Sequence, residues 1–368
     1  MKLRKHTKKL FCFIILLPLI FISLFLIISS KNKIDNTNFL AIKLDGADIS
    51  YFPNYASGNY TALVNCNNAT GKWKLVLNRK NNTTKWNLEI DNIVGDVSCD
   101  LEFKSMTEAD TLINVIKNLE TKTNNNGVCS DNVSNNKSAC EAANANWWGV
   151  YDENGLRFEG SNPNNYVLFN DQLWRIIGYL PIKDANNNNK QLVKIIKDTG
   201  YKNASSYLNS NFLYSTSCKK NREFCDYSMT GLTSYFRSMI EAVQWYTGAG
   251  GPNDTADTRY NREKNSSTNV SGGTKVNVMN ISDFAYGVLK SDCARTVLVQ
   301  NYKNLVNTCI NKNWLFYREE NTIAGRLTTT GGIEYASSKY SRPVVHLNEN
   351  VYVVSGSGTS SDPYILDI

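Results

Sequence analysis

Nine cysteines are the residues of this chain whose type and spacing most directly suggest chemistry. Cys12 lies inside an apolar run near the N-terminus, where a small apolar side chain is ordinary. The other eight form four couples along the chain: Cys66 and Cys99, Cys129 and Cys140, Cys218 and Cys225, Cys293 and Cys309. Thiolates act as nucleophiles or zinc ligands, and paired thiols form disulfides. An even number of cysteines beyond an export signal or membrane anchor favours disulfides formed in an oxidising compartment.

Zinc is the main alternative for such a set of cysteines. Structural zinc sites commonly use close pairs of the Cys-x-x-Cys kind. No such pair occurs in this sequence. We therefore predict four disulfides and no metal site.

Oxygen ligands for calcium are present in two polar segments. Asp152, Glu153 and Asn154 lie in one of them, and Asp254 and Asp257 lie in the other. Calcium needs six or more oxygen atoms that converge on one point, and these residue types are also typical of turns. We predict turns here and no cofactor, with calcium left as an open alternative.

Histidines are too few for most hydrolytic sites. The sequence contains only His6 and His346, and His346 stands between Val345 and Leu347 in an apolar segment. A metal-dependent hydrolase requires clustered His, Asp or Glu side chains, and a serine hydrolase would have His346 as its base. The sequence lacks a Gly-x-Ser-x-Gly elbow, a phosphate-binding glycine loop and a dinucleotide motif. It therefore predicts no catalytic residues and a protein that is not an enzyme.

Aromatic side chains in polar loops are the remaining functional signal. Tyrosine occurs 20 times, and exposed tyrosines often contact sugars or proteins. The segment from Gly248 to Thr274 is rich in Gly, Asn and Ser, which predicts a long binding loop, with disorder as the alternative. The candidate residues in and beside this loop are Tyr246, Asn253, Asp254, Asp257 and Tyr260.

An apolar run near the N-terminus predicts a membrane anchor. Leu10 to Ile28 continues for 19 residues without a charge, which is enough for a membrane-spanning helix. Five basic residues precede the run and favour a cytoplasmic N-terminus. A cleaved signal peptide is the alternative, although Ile28-Ser29-Ser30 makes a poor cleavage site. We expect a single-pass protein of the cell membrane with the bulk of the chain extracellular.

The formal net charge of +7 is concentrated in that N-terminal segment. The remainder is close to neutral, so no nucleic-acid partner is predicted. The expected partners are an extracellular glycan or protein, together with the membrane.

Short strands and a few helices must position these residues. Alternation of apolar and polar residues predicts a small β module at 59–104, and Cys66 and Cys99 flank it. The predicted segments are a cytoplasmic tail at 1–9, the anchor at 10–29, a stalk or first strand at 30–58, the β module at 59–104, a helical linker at 105–127 and a large domain at 128–368.

Three helices are predicted beyond the β module. The first begins with a capping box at Thr107 to Asp110 and ends before Asn124. The second lies between Met229 and Thr247, and a shorter third helix runs from Ser282 through Leu289. The expected apolar face of the second helix contains Leu232, Phe236, Met239, Ile240 and Val243.

Several motifs resemble a group of surface proteins from low-GC Gram-positive gut bacteria. They include GSNPNNYVLFNDQLWRIIG at 160–178, ISDFAY at 281–286, RPVVHL at 342–347 and GSGTSSDPY at 356–364. The resemblance extends over roughly 60–368, and the C-terminal unit is distantly similar to C-type-lectin-like and formylglycine-generating-enzyme-like domains. It implies a twisted antiparallel sheet, flanking helices and a long loop region that presents a binding surface.

The expected fold is α+β, with an N-terminal transmembrane helix, a small β-sandwich-like module and a C-type-lectin-like domain with an antiparallel sheet and two or more helices. The expected function is that of a membrane-anchored extracellular binding or adhesion protein. A formylglycine-generating-enzyme-like oxidoreductase is one alternative, and it would need Cys293 and Cys309 as reactive thiols. A structural or pilus-associated surface subunit is the other.

Overall fold

The computed structural model of this protein describes most of the chain beyond its N-terminal segment. The described residues are 39–50, 60–78, 83–123, 126–199, 201–202, 232, 234–246, 251, 253–265, 275–277, 279–297, 308–319, 322–327, 333–335 and 340–368. The predicted anchor at 10–29 and the predicted couple of Cys218 and Cys225 lie outside these residues.

The described chain divides into two compact units. The smaller unit is drawn from residues 39–104, and the larger one includes Ser105–Ile368. The strands before Thr107 are β1 (Phe39–Leu44), β2 (Ala47–Asp48), β3 (Tyr60–Cys66), β4 (Thr70–Asn78), β5 (Thr83–Asp91) and β6 (Ser98–Ser105).

The smaller unit contains a four-stranded sheet in the order β2-β1-β6-β3, while β4 pairs with β5. In β6 the side chains of Cys99, Leu101 and Phe103 are buried and those between them are not, which is the period of a half-buried strand. Cys66 forms a disulfide with Cys99, so the predicted bridge joins neighbouring strands. The segment expected as a stalk or first strand contributes strand β1 to this sheet.

The larger unit is built mainly from strands. They are β7 (Val128–Cys129), β8 (Trp147–Asp152), β9 (Leu156–Gly160), β10 (Tyr166–Phe169), β11 (Gln172–Asp184), β12 (Asn189–Lys197), β13 (Tyr201–Lys202), β14 (Ile240–Glu241), β15 (Val243–Gln244), β16 (Val276–Asn277), β17 (Tyr317–Glu319), β18 (Thr322–Leu327), β19 (Ile333–Tyr335), β20 (Tyr340–Ser341), β21 (Val344–Leu347), β22 (Tyr352–Ser355) and β23 (Tyr364–Asp367).

Helices in the described part of this unit are short. They are a 3-10 turn (Glu108–Asp110), α1 (Leu112–Thr123), α2 (Lys137–Ala142), α3 (Ser234–Ser238), α4 (Ala256–Lys264), α5 (Ile281–Tyr286) and α6 (Thr308–Asn311). The first predicted helix is confirmed as the 3-10 turn and α1, because Thr107 and Asp110 form the expected capping box. Leu112 and Ile116 of α1 are buried in the core of this unit.

The central sheet follows the order β14-β21-β12-β11-β10-β23-β22 and curves into a half-barrel. The β8–β9 hairpin joins it where Gly178 pairs with Arg157. Strand residues clearly outnumber helical residues, so the expected α+β, C-type-lectin-like fold class is wrong and the fold is mostly β. One contribution is that residues 240–244, which were expected to be helical, form strands that pair with β21 and β11.

The segment after Met229 gives the clearest example of this difference. We expected one helix up to Thr247, but the chain forms the five-residue helix α3 and then strands β14 and β15. Ile240 pairs with Leu347, and Val243 pairs with Asp184. A short apolar run fits both the 3.6-residue period of a helix and the two-residue period of a strand, so the available main-chain partners decide between helix and strand.

The expected membrane topology is also corrected. Among the residues that the structure describes, no helix has the length and apolar character that a membrane crossing requires. The longest helix, α1, has 12 residues and an amphipathic sequence. The described residues therefore do not support the expected single-pass anchor or the localisation inferred from it.

Candidate functional site

A groove of about 540 Å³ opens on the surface of the larger unit. We call it the lysine groove, and its lining residues are Pro181, Ile182, Lys183, Asn189, Lys190, Gln244, Tyr246, Lys264 and Asn265. They come from the ends of β11 and β12, from β15 and the residues after it, and from the end of α4. The groove has the volume of a small-ligand site, and most of its lining side chains are polar.

A tight turn between β11 and β12 connects Lys183 to Asn189 and Lys190, which line the groove. The carboxylate of Asp184 accepts hydrogen bonds from the main-chain N–H groups of Asn186 and Asn188 and from the Asn188 side chain, at 2.8–2.9 Å. These bonds, led by that from the Asn188 side chain, lower the pKa of Asp184. Asn187 takes a left-handed φ of 70°, which asparagine tolerates better than most residues. The asparagine run is thus a defined turn that fixes the register of the two strands.

That register places three polar residues in one row across three strands. Lys183 pairs with Asn189 on β12 and with Gln244 on β15. Residues paired across a sheet have their side chains on the same face. The row therefore combines an ammonium group and two carboxamides along one wall. Lys183 Nζ also donates to Asn187 Oδ1 at 3.0 Å, so the turn helps to position the amine.

Tyr246 contributes the aromatic surface of the groove. Its hydroxyl donates to the main-chain oxygen of Pro181 at 3.2 Å, and its ring meets that of Tyr260 edge-on at 6.3 Å. Burial raises the pKa of Tyr246, so the phenol stays neutral and remains a donor. The side chain of Asn280 also donates to the carbonyl oxygen of Tyr246 at 2.8 Å. Tyr246 is therefore held at both its main chain and its hydroxyl.

Lys264 and Asn265 stand at the C-terminal end of α4. Thr255 caps the start of this helix, where its hydroxyl accepts a hydrogen bond from Thr258 N at 3.2 Å. A buried ion pair between Arg259 Nε and Glu263 Oε1, at 2.8 Å, fixes its inner face. The partial negative charge of the helix end favours the cationic Lys264 at this position.

The lining of the groove is positively charged, and carboxylates lie around it. Three lysines line the groove, and none of the nine lining residues carries a carboxylate. The Oε1 atom of Glu349 lies 2.8 Å from Lys190 Nζ, and the charges of Glu241 and Asp184 also act on this lysine. The ion pair with Glu349 is exposed, and it raises the pKa of Lys190. The arrangement suits a carboxylate, sulfate or phosphate group, with the amides and Tyr246 placed to contact hydroxyls and an apolar face.

Only one of the five predicted loop residues lines this groove. That residue is Tyr246. Asn253 is exposed, whereas Asp254 is buried, accepts a hydrogen bond from Gly251 N and pairs with Arg262 Nε at 2.9 Å. Asp257 accepts a hydrogen bond from Tyr286, and Tyr260 is buried. The segment expected to be a loop contains helix α4, and these residues mainly hold that helix in place.

The predicted site residues did not include Lys183, Asn189, Lys190, Gln244 or Lys264. A signal was available, because an asparagine-rich turn between two strand patterns has a lysine on each side. Lys183 and Lys190 must then lie near each other at the end of the hairpin. Gln244 and Lys264 carry no such local signal, since distant segments bring them to the groove.

The other described residues that the sequence singled out lie in structural positions. Cys129 forms a disulfide with Cys140, and Cys293 forms one with Cys309. His346 is buried against Trp245, with ring centroids 4.7 Å apart, and burial lowers its pKa well below the usual value. Within the described ranges, no group of three or more His, Cys, Asp or Glu side chains could hold a metal ion.

Comparison with known proteins found no matching family model, no matching curated sequence and no matching solved structure. The resemblance to Gram-positive surface proteins therefore stays a prediction from the motifs.

Proposed function

We propose that this chain is a disulfide-stabilised binding protein that recognises an acidic glycan through the lysine groove. The observation that carries the proposal is the composition of the groove, where three lysines, two asparagines, a glutamine and a tyrosine line one opening without a carboxylate. Ammonium groups pair with the anionic groups of acidic sugars, and carboxamides bind hydroxyls as donors and acceptors. The tyrosine ring supplies an apolar face for a sugar ring.

A glycan fits these features better than a nucleic acid. A nucleic-acid site is an extended basic stripe, whereas this groove has a volume of about 540 Å³ and its lysines are interleaved with amides. The first nine residues of the chain contribute +5 of the formal net charge of +7. Seven of the nine side chains that line the groove are polar, and this composition suits a hydroxyl-rich ligand.

The oxidoreductase alternative depends on two cysteines in the thiol form. It requires Cys293 and Cys309 as thiols, while both are buried and joined as a disulfide. The three disulfides among the described residues are typical of a protein that folds in an oxidising compartment, where a binding protein benefits from a stable surface. These features support recognition over thiol chemistry.

The test is a binding panel with the purified, disulfide-bonded chain. The probes are oligosaccharides that carry carboxylate, sulfate or phosphate groups, each beside its neutral counterpart. We expect binding to acidic members, and we expect it to weaken as salt is raised because ions screen exposed charges within about 10 Å at 0.1 M. Equal binding of neutral and acidic members, binding of none, or insensitivity to salt would count against the proposal.

A further inference from the structure

A lysine, an asparagine and an aspartate meet in the interior of the larger unit. Lys194 Nζ, on β12, lies 2.8 Å from Asn280 Oδ1 and 2.5 Å from Asp283 Oδ2. All three residues are buried, with relative exposures of 3%, 5% and 2%. Lys194 and Asn280 are 86 positions apart, so the tertiary fold brings this amine to this carboxamide.

Neighbouring groups fix the orientation of each member of this cluster. Arg157 Nη1 donates to Asp283 Oδ1 at 3.0 Å, and Asp283 Oδ2 accepts hydrogen bonds from the main-chain N–H of Asn280 at 2.8 Å and from Lys194 Nζ. The Nδ2 group of Asn280 donates to the carbonyl oxygen of Tyr246 at 2.8 Å, so its carbonyl side faces the amine. Lys194 Nζ also lies 5.7 Å from the centre of the Trp245 ring. The amine is thus held beside the carboxamide in a pocket closed to water.

Burial acts to raise the pKa of Asp283, but its ion pairs with Lys194 and Arg157 lower it overall, so Asp283 is a carboxylate that can accept a proton. Burial lowers the pKa of Lys194, despite the opposing effect of Asp283. A buried amine with a lowered pKa loses its proton more readily, and the neutral amine is the nucleophile. A fixed amine and carboxamide also avoid the entropic cost of bringing two reactants together.

We propose that Lys194 and Asn280 become joined by an amide bond between their side chains, with Asp283 transferring the protons. Asp283 accepts a proton from the Lys194 ammonium group, and the amine attacks Cγ of Asn280. The bond between Cγ and Nδ2 breaks, and Nδ2 leaves with the protons that Lys194 has lost. One ammonium group and one carboxamide are thereby converted to one secondary amide and one ammonium ion. The step needs no oxidant or reductant, and it is independent of the proposed glycan binding.

The bond would tie β12 to the residue that precedes α5. It would close a loop of the chain that the described disulfides leave open, because none of them spans the segment between Lys194 and Asn280. Unlike a disulfide, it would survive complete reduction. The same contacts without the bond form an ordinary buried ion pair, so the mass of the protein decides between the two states.

The test is the intact mass of the folded full chain after complete reduction. We expect a mass lower than that of the sequence by one ammonia molecule. A succinimide at Asn126 or Asn154, each followed by glycine, would give the same loss. Proteolysis of the denatured chain separates the two cases, because the proposed bond yields a branched peptide that contains both Lys194 and Asn280. A wild-type mass equal to that of the sequence, or a loss that maps to a linear peptide, would overturn the proposal.

Three variants assign the chemistry once the wild-type mass is known. Lys194→Met and Asn280→Ala should restore the full mass, and Asp283→Asn should slow or prevent the bond. Lys197→Met is the matched control, because Lys197 is a second buried lysine on β12 and its amine binds Thr199 instead. Proteolysis of the Lys197→Met variant should still yield the branched peptide. Bond formation at the wild-type rate in Asp283→Asn would exclude the proton-transfer role.

Discussion

The side chains of Lys190 and Glu349 form an ion pair with an N–O distance of 2.8 Å beside the lysine groove. The lysine is 36% exposed and the glutamate 50%. Lys312 and Glu141 form a second pair with the same N–O distance and similar exposures, 35% and 39%, at a position that does not line the groove. The chain therefore supplies its own matched control for the groove.

Lys190→Gln should weaken binding of an acidic oligosaccharide, whereas Lys312→Gln should leave it unchanged. An exposed charge pair is worth about 0.2–1 kcal/mol, so we expect a loss of up to about fivefold in affinity. Isothermal titration with the tightest acidic probe measures both variants. Equal losses in the two variants would show that the lysine groove is not the binding site.

Glu349→Gln should have the opposite effect and strengthen binding. The substitution removes the carboxylate that pairs with Lys190 and would repel an anionic ligand. The same titration should show a gain of similar size, up to about fivefold. Glu141→Gln is its control and should bind as the wild type does. Weaker binding in Glu349→Gln would mean that the glutamate itself contacts the ligand.

The disulfide between Cys293 and Cys309 should contribute about 2–4 kcal/mol to the free energy of unfolding. Replacing both cysteines with alanine should lower the free energy of unfolding by this amount, and urea unfolding measures the loss. The same measurement on the Cys129–Cys140 pair, whose sequence separation is 11 rather than 16, gives a second stability loss for comparison.

Thiol labelling of the denatured, unreduced chain should leave Cys293 and Cys309 unmodified. Labelling of both would favour the oxidoreductase alternative.

Asp367 should make the stability of the chain depend on pH. Burial raises its pKa from 3.8 to about 6, so the folded state holds a proton that the unfolded state has already lost in this range. The resulting stabilisation is complete below the unfolded pKa and disappears as the pH rises through the folded one. Asp367→Asn cannot ionise, so its unfolding free energy relative to wild type should increase between about pH 4 and pH 6 and then level off.

Urea unfolding across this pH range measures that difference. Asp362→Asn is the control, because Asp362 is an exposed aspartate in the same terminal segment. If the difference in unfolding free energy between Asp367→Asn and wild type stays constant with pH, Asp367 does not have a raised pKa in the folded state.

Features with a local cause were predictable from the sequence. The capping box at Thr107 and Asp110 and the apolar spacing after it determine the position of α1. Turn residues stand between the strands of two hairpins, Glu153 to Gly155 between β8 and β9 and Asn170 and Asp171 between β10 and β11, and they are a local signal of this kind. Cysteines close in sequence predict disulfides, because short loops bring their ends together at a small entropic cost.

Features that depend on distant segments were decided by the tertiary structure alone. Ile240 and Val243 become strand residues because β21 and β11 offer main-chain partners there. Gln244 and Lys264 reach the lysine groove only after β15 and α4 are placed beside the β11–β12 hairpin. The contact between Lys194 and Asn280 spans 86 positions. Sequence patterns report interactions between near neighbours along the chain, whereas these sites arise from non-local pairing, which no local pattern encodes.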